Sequence, residues 1–461
     1  MPSFLIEPLA FIFILGAAVI LHEFGHFIVA KLFKIRVETF SVGFGPRLFG
    51  VKWGETDYRV SAIPLGGYVK LGGDESNAPL EGAGAVDIPP EQMFNLRPKW
   101  QRILVALAGP VMNVITALSI PFAAALMYGV QATPAPVVNY VVKGGAAEIA
   151  GLKPGDRIVK FNGAENPKWD TINGDALLSP DQPLPMIVDR NGQRMDMTIK
   201  PTPRTENGET AGTLDFVPDY GGYPVVIHEV TPNSPAAASG LQPNDRVAAV
   251  AGEKVRSAAQ VTAYIKEHRD QPLQFTVERS GQLKEISTDS KRLADGVIGV
   301  KISDEFPLHK VGLGGAAGYA YRSNVEIIKL TGKALGQVFT GKRSVRNTLS
   351  GPIGIYKAAA IQVNRLGWDG VFQMLGFLSL NLGVFNLLPI PVLDGGAIFL
   401  LLLEGLLAFV GLTLSTTVRE RIQQVGFVMV ILLMVFVISN DLLKSFTPDQ
   451  GTKPAASAPA K

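Results

Sequence analysis

No cysteine occurs among the 461 residues, which excludes disulfides and any thiolate metal site. Histidine is scarce too, with 5 in the chain, so any pair of imidazoles stands out. Neither sign of charge dominates: 43 Lys and Arg against 40 Asp and Glu leave a net charge of +3, which gives no basis for nucleic-acid binding. Charge is also missing locally. No lysine or arginine precedes Lys31, so the opening apolar stretch lacks the basic n-region of a cleavable signal peptide. Between Arg102 and Lys143 there is no charged residue.

What replaces charge is hydrocarbon. Hydrophobic residues make up 47% of the chain and concentrate at its two ends. A membrane span needs about 20 apolar residues. Phe4–Phe33, Ile103–Val130 and Ile422–Ser439 each meet that need. Val371–Val410 is about twice that length, with Asp394 and Glu404 as its charges, and is expected to break at Pro389 and Pro391. The fold class is therefore a polytopic α-helical membrane protein with about four transmembrane helices. Basic residues flank the link between the first two spans (Lys31, Lys34, Arg36; Arg97, Lys99, Arg102) and sit before the last (Arg419, Arg421). The positive-inside rule places these links in the cytoplasm and the polar middle on the outer side.

Inside the first span stands His22-Glu23-Phe24-Gly25-His26. On a helix this HExxH pattern sets two imidazoles one turn apart on one face, the spacing two zinc ligands need. The adjacent glutamate is placed to take a proton from water at the metal. Ionisable groups are costly in hydrocarbon, so three within five residues point to chemistry at lipid depth. A third histidine ligand of the extended HExxHxxGxxH form is missing, because Leu32 occupies its place. His228, His268 and His309 fall in the polar middle. The third ligand should then be a carboxylate, Asp394 or Glu404. Asp394 lies in Asn386-Leu-Leu-Pro-Ile-Pro-Val-Leu-Asp-Gly-Gly396, where prolines and glycines disrupt the helix. Irregular backbone at membrane depth is tolerated where it is buried or lines a cavity, which favours Asp394.

The middle contains an internal repeat. Gly151-Leu-Lys-Pro-Gly-Asp-Arg-Ile-Val-Lys-Phe-Asn-Gly163 matches Gly240-Leu-Gln-Pro-Asn-Asp-Arg-Val-Ala-Ala-Val-Ala-Gly252. Each copy follows a small-residue helix start, Gly144-Gly-Ala-Ala-Glu148 or Asn233-Ser-Pro-Ala-Ala-Ala238, and runs from a turn into an alternating strand. This pattern resembles the PDZ domains of bacterial envelope proteases, α+β modules that capture an extended peptide on a sheet edge. Gly212-Thr-Leu-Asp-Phe216 and Gly296-Val-Ile-Gly-Val300 are both candidates for a loop that binds a peptide carboxylate. Val37–Leu71 alternates apolar and polar residues around Trp53-Gly-Glu-Thr56, as a β-hairpin does.

Taken together, HExxH in the first span and NxxPxPxLDG in a later one resemble the site-2 protease family of intramembrane zinc metalloproteases. The PDZ-like repeat makes the chain most similar to the regulator-of-sigma-E branch. Ile63-Pro-Leu-Gly-Gly-Tyr-Val-Lys70, Gly109-Pro-Val-Met-Asn113 and Leu349-Ser-Gly-Pro-Ile353 match further branch patterns, while Ala397 stands where the branch commonly has histidine. The resemblance implies one Zn2+ held by His22, His26 and Asp394, with Glu23 as general base. It also implies substrate contacts at Asn386, Pro389 and Pro391, and at Gly67 and Tyr68 of a re-entrant hairpin.

The domain layout expected is a membrane core over 1–136, PDZ-like domains over 137–221 and 222–305, and an amphipathic membrane-surface linker over 306–370. A second core part over 371–446 and a disordered tail over 447–461 complete it. Partners implied are the lipid bilayer, transmembrane protein substrates such as anti-sigma factors or remnant signal peptides, and peptide ligands of the PDZ-like domains. The location implied is a bacterial inner membrane with those domains on the periplasmic side, acting in an envelope stress response.

Overall fold

A computed structural model describes residues 3–74, 88–131, 134–206, 209–268, 271–289, 297–348, 350–412 and 415–446. The expected disordered tail, Leu349 and Gly296 lie outside the described residues. The chain divides into two compact units, residues 1–128 with 311–446, and residues 129–310.

The first unit is mainly helical: α1 (Ser3–Leu32), α2 (Lys99–Met127), α3 (Leu313–Phe339), α4 (Pro352–Leu366), α5 (Trp368–Asn386), α6 (Asp394–Phe409) and α7 (Thr416–Phe446). Among the described residues, three helical stretches are long and apolar enough to cross a membrane: Ile6–Leu32, Lys99–Met127 and Thr417–Lys444. Helices satisfy their own backbone groups, which is what hydrocarbon demands. The helices meet on small residues. A Cβ at Gly25 of α1 would overlap the Ala108 carbonyl of α2, and one at Gly383 of α5 would lie 3.0 Å from the Pro110 carbonyl. Side-chain-free positions let backbones approach closely where no hydrophobic force drives helices together. Along the same α2, Asn324 of α3 donates to the Ala117 carbonyl at 3.1 Å, beside buried Ala316 and Ala320.

The long third apolar region breaks as expected, with α5 ending at Asn386 and α6 starting at Asp394. The double glycine makes the break compact. A Cβ at Gly395 would overlap the Leu387 and Leu388 carbonyls, and one at Gly396 the Ile390 carbonyl. On the far side, Gly426 of α7 packs against the Pro391 backbone.

Between α1 and α2 run β1 (Val37–Trp53) and β2 (Thr56–Leu71), joined at the expected turn. The hairpin does more than pair along its length. Residues 39–42 pair with 67–70 on one side and with 57–60 on the other, while 47–53 pair with 56–61. The two long strands thus fold back into a four-stranded sheet, in the order 47–53, 56–61, 37–42, 67–71. Gly43 (φ +92) lies 2.6 Å, measured from an added Cβ, from the Ile63 carbonyl, so a side chain there would block the fold-back. Val37, Val69 and Leu71 join Ala30 and Ile35 in one buried cluster that seats this sheet against α1.

The second unit holds the two repeats. The first has strands Val138–Val141, Arg157–Phe161, Leu184–Arg190, Gln193–Ile199 and Phe216–Pro218, with helices Ala146–Ile149 and Trp169–Leu178. The second has Val225–Val230, Arg246–Val250, Leu273–Arg279, Gln282–Thr288 and Val300–Asp304, with helices Pro235–Ser239 and Ala258–Glu267. Each encloses its own apolar core, around Phe161 in one and Phe275 in the other. The copies agree in detail. Arg190 binds Asp156 at 2.7 Å and the Gly151 carbonyl at 2.8 Å; Arg279 binds Asp245 at 2.7 Å and the Gly240 carbonyl at 2.8 Å. The two candidate loops are also equivalent: Val142 N–H donates to the Asp215 carbonyl, Thr231 N–H to that of Gly299, and both acceptor residues have positive φ.

Candidate active site

His22, Glu23 and His26 lie in the second half of α1, with both imidazoles on one face. Their rings meet edge to face, and the two Nε2 atoms are 3.2 Å apart. Asp394, the first residue of α6, comes to the same point. Its Oδ2 is 3.0 Å from His22 Nε2 and its Oδ1 is 3.4 Å from His26 Nε2. One ligand atom from each of the three lies within 4.8 Å of the others. Tetrahedral donors about 2.0–2.2 Å from zinc stand about 3.3–3.6 Å apart. The donor set therefore fits one zinc ion with adjustments of a few tenths of an ångström. Glu404, the other acid of the region, is elsewhere on α6 and faces Arg419 at 3.7 Å.

Both imidazoles are oriented from behind by α2. His26 Nδ1–H donates to the Val105 carbonyl at 2.8 Å, leaving the Nε2 lone pair to face the other donors. His22 Nδ1 faces the Asn113 amide at 3.1 Å. Asn113 Oδ1 is buried and has no hydrogen-bond partner among the described residues. A half-turn of the amide exchanges its oxygen and nitrogen, so that the orphaned oxygen accepts from His22 Nδ1–H. His22 Nε2 is then also free to bind a cation. The unpaired oxygen is what a metal-ligating histidine requires behind it. Gly109 completes the backing: a Cβ there would overlap His26 Nε2.

Glu23 faces the sheet. It takes a hydrogen bond from the Val69 backbone, and its Cγ would be 3.5 Å from a Cβ at Gly67. Gly67 thus gives the carboxylate room at the edge strand 67–71. Asn386, the last residue of α5, places its amide 3.2 Å from His22 Nε2. Tyr68 turns from the histidines, stacking on Phe44 and hydrogen-bonding Arg59 through its hydroxyl. Pro389 is exposed in the loop between α5 and α6, and Pro391 packs under Gly426. Asn113, Gly109 and Gly25 were not singled out as site residues from sequence. Two signals bore on them: the Gly109-Pro-Val-Met-Asn113 pattern holds both Gly109 and Asn113, and Asn113 is an amide within an apolar span.

Two of the outlying histidines, His228 and His268, make local contacts. His228 bonds Ser303 at 2.6 Å, and His268 stacks on Tyr264 and bonds its carbonyl.

The sequence pattern of peptidase family M50 matches residues 10–433. The regulator of sigma-E protease RseP of Salmonella typhimurium is 32% identical over 468 residues, covering 96% of this chain and 99% of that protein. The protein of the same name from Escherichia coli is 31% identical over 465 residues, covering 96% and 99%. Matched from residue 10 to residue 433 and aligned end to end with such relatives, this membrane chain belongs to peptidase family M50 and is a zinc metalloprotease.

Proposed function

We propose that this protein is an intramembrane endopeptidase of the site-2 type, hydrolysing a peptide bond within the transmembrane segment of a single-span protein. One observation carries the proposal: His22 and His26, on a helix apolar enough to cross a membrane, converge with Asp394 at the start of α6. In this assignment the three side chains hold zinc and Glu23 is the general base. Zinc supplies Lewis acidity, which acidifies water and polarises a peptide carbonyl. Glu23 accepts the proton from the attacking water and returns it to the leaving amine. Its hydrogen bond to Val69 and its seat beside Gly67 keep the carboxylate turned toward the edge strand. In this assignment Asn386, whose amide lies 3.2 Å from His22 Nε2, turns its N–H to the scissile carbonyl oxygen when substrate binds.

A substrate helix has to open before its carbonyls can be attacked. Strand 67–71 ends the four-stranded sheet, and an unwound peptide added along it runs past Glu23. Pro389 and Pro391 shape the opposite wall. In this reading the 19-residue α5 adds a fourth crossing to the three apolar helices α1, α2 and α7, with α6 re-entering beside them. Residues 137–221 and 222–305 are PDZ-like domains that restrict access by substrates with bulky outer regions. Basic links on the cytoplasmic side put these domains in the periplasm of a bacterial inner-membrane protein. The names of the Salmonella and Escherichia relatives support a part in sigma-E regulation; an anti-sigma factor is the substrate class proposed on that basis, within an envelope stress response, and remnant signal peptides are a second proposed class.

The test is cleavage of a model transmembrane substrate by purified protein, alongside zinc analysis. Glu23→Gln is expected to keep stoichiometric zinc and to lose roughly 100-fold or more of the cleavage rate. Unchanged cleavage by this variant would refute the assignment.

A further inference from the structure

Arg59, Ser41 and Tyr68 stand side by side on three neighbouring strands of the four-stranded sheet. Ser41 pairs with Arg59 on one side and with Tyr68 on the other. Residues directly opposite in antiparallel strands point to the same face. Ser41 is a short side chain bonded to Ser61 at 2.8 Å, so it leaves the space above it open to its neighbours. The guanidinium of Arg59 crosses that space, two strand spacings or about 10 Å from its own backbone to that of Tyr68. There it bonds the Tyr68 hydroxyl and lies 5.5 Å from the centroid of the ring. Phe44 stacks on the same ring, with 6.1 Å between centroids and 6° between planes. A Cβ at Gly66 would overlap Phe44, so the stack closes only over a bare Cα. Asp57, two residues from Arg59 on the same face, draws the guanidinium from behind at 3.8 Å and faces Arg47 at 3.3 Å. Tyr68 is thereby buried, at 7% exposure.

Tyr68 lies within strand 67–71, and its neighbours Gly67 and Val69 point to the opposite face. That face meets Glu23, which takes a hydrogen bond from the Val69 backbone and has its Cγ 3.5 Å from a Cβ built at Gly67. A slip of one residue would exchange the two faces and turn the tyrosine ring toward Glu23. Glycine-rich strands specify their register weakly, and Gly66 and Gly67 open this one. The Arg59–Tyr68 contact is a side-chain lock on that register, tied to a strand two places away in the sheet.

We infer that Arg59 is a positioning residue for cleavage: by clamping Tyr68 across Ser41 it fixes strand 67–71, and with it the seat of Glu23 and the register of the substrate. This role rests on the reading of 67–71 as the edge to which substrate adds. A peptide paired along that edge takes its register from it, so a loosened strand presents more than one bond to the histidine pair.

The experiment uses the full-length protein in detergent with a model transmembrane substrate. Arg59→Met keeps the length of the side chain and loses its fork and charge; Tyr68→Phe keeps the stacked ring and loses the hydroxyl. Hydrogen exchange followed by mass spectrometry reports on residues 67–71 without any need for activity. Exchange there is expected to quicken in Arg59→Met while zinc content stays at the parent's level. Its kcat/KM is expected to fall about tenfold, and mass spectrometry of the products to show cuts at more than one bond. Tyr68→Phe should change in the same direction by less. A general loss of folding lowers the amount of active protein and leaves the cut where it was, so the spread of cuts separates positioning from stability. Should Arg59→Met fail to fold, Tyr68→Phe decides by the same readouts. Unchanged exchange at 67–71 overturns the inference, as does faster exchange with the parent's rate and single cut. Cleavage by the parent that survives Glu23→Gln is a failure of the protease assignment instead, and exchange at 67–71 then still decides whether Arg59 holds the strand.

Discussion

Gly109 on α2 lies flat against His26 on α1, so close that a Cβ at 109 would overlap the imidazole Nε2. The absence of a side chain at this one position leaves the space in which the two histidines and Asp394 meet. Gly109→Ala should therefore push His26 off its position. Zinc content by elemental analysis is expected to fall well below one per chain. The helix interface should lose about 1–3 kcal/mol, the usual cost of overpacking. A Gly109→Ala protein with full zinc and full activity would show that α2 yields instead.

Asn113 stands behind His22 as the Val105 carbonyl stands behind His26. Removing such a partner costs about 10–100-fold in metal affinity. Asn113→Leu should show that loss in a chelator competition. Asn113→Asp, which keeps an acceptor against His22 Nδ1–H, should retain zinc. Equal affinity in Asn113→Leu and the parent would remove Asn113 from the metal site.

The two acids of the region should behave differently. Asp394→Asn is expected to abolish stoichiometric zinc and cleavage together, because Asp394 faces both histidines. Glu404→Gln should leave zinc content unchanged, because Glu404 faces Arg419. Zinc loss in both variants, or in Glu404→Gln alone, contradicts the arrangement.

The repeated aspartate–arginine pairs should give the unit of residues 129–310 an acid sensitivity. Burial works against charge on Asp156 and Asp245, yet Arg190 and Arg279, helped by backbone N–H groups of Lys153 and Gln242, hold both carboxyls below the usual aspartate range. A depressed folded-state pKa stabilises the fold above the unfolded value of about 3.9, and the contribution disappears as pH falls through the lower folded value. Asp245→Asn should cost about 1–3 kcal/mol at neutral pH. The gap from the parent should close below about pH 4 in urea titrations followed by circular dichroism. A gap that persists undiminished in acid would mean that packing, rather than the ion pair, is responsible.

Local pattern carried a large part of this protein. HExxH places its imidazoles by helical period alone, and the prolines and glycines around Asp394 mark the break between α5 and α6 before any fold is known. The hairpin turn at Gly54 and the duplicated Gly-Leu-x-Pro core are equally local, and the structure puts strands and turns where they were expected. Glu404 was separable from Asp394 only by the continuity of its helix, and the structure gives the reason: it has a basic neighbour of its own.

Sequence by itself determined the candidate set of side chains for the chemistry, because residue type and spacing are readable before any fold is known. Tertiary structure alone decided what holds them in place. The Val105 carbonyl, the Asn113 amide and the bare Cα of Gly109 reach the histidines from a helix that is adjacent in space and remote in the chain. The doubling of one hairpin into four strands rests on backbone pairs that no residue spacing encodes. Periodicity reports one element's face; the partner of that face exists only once the chain has folded.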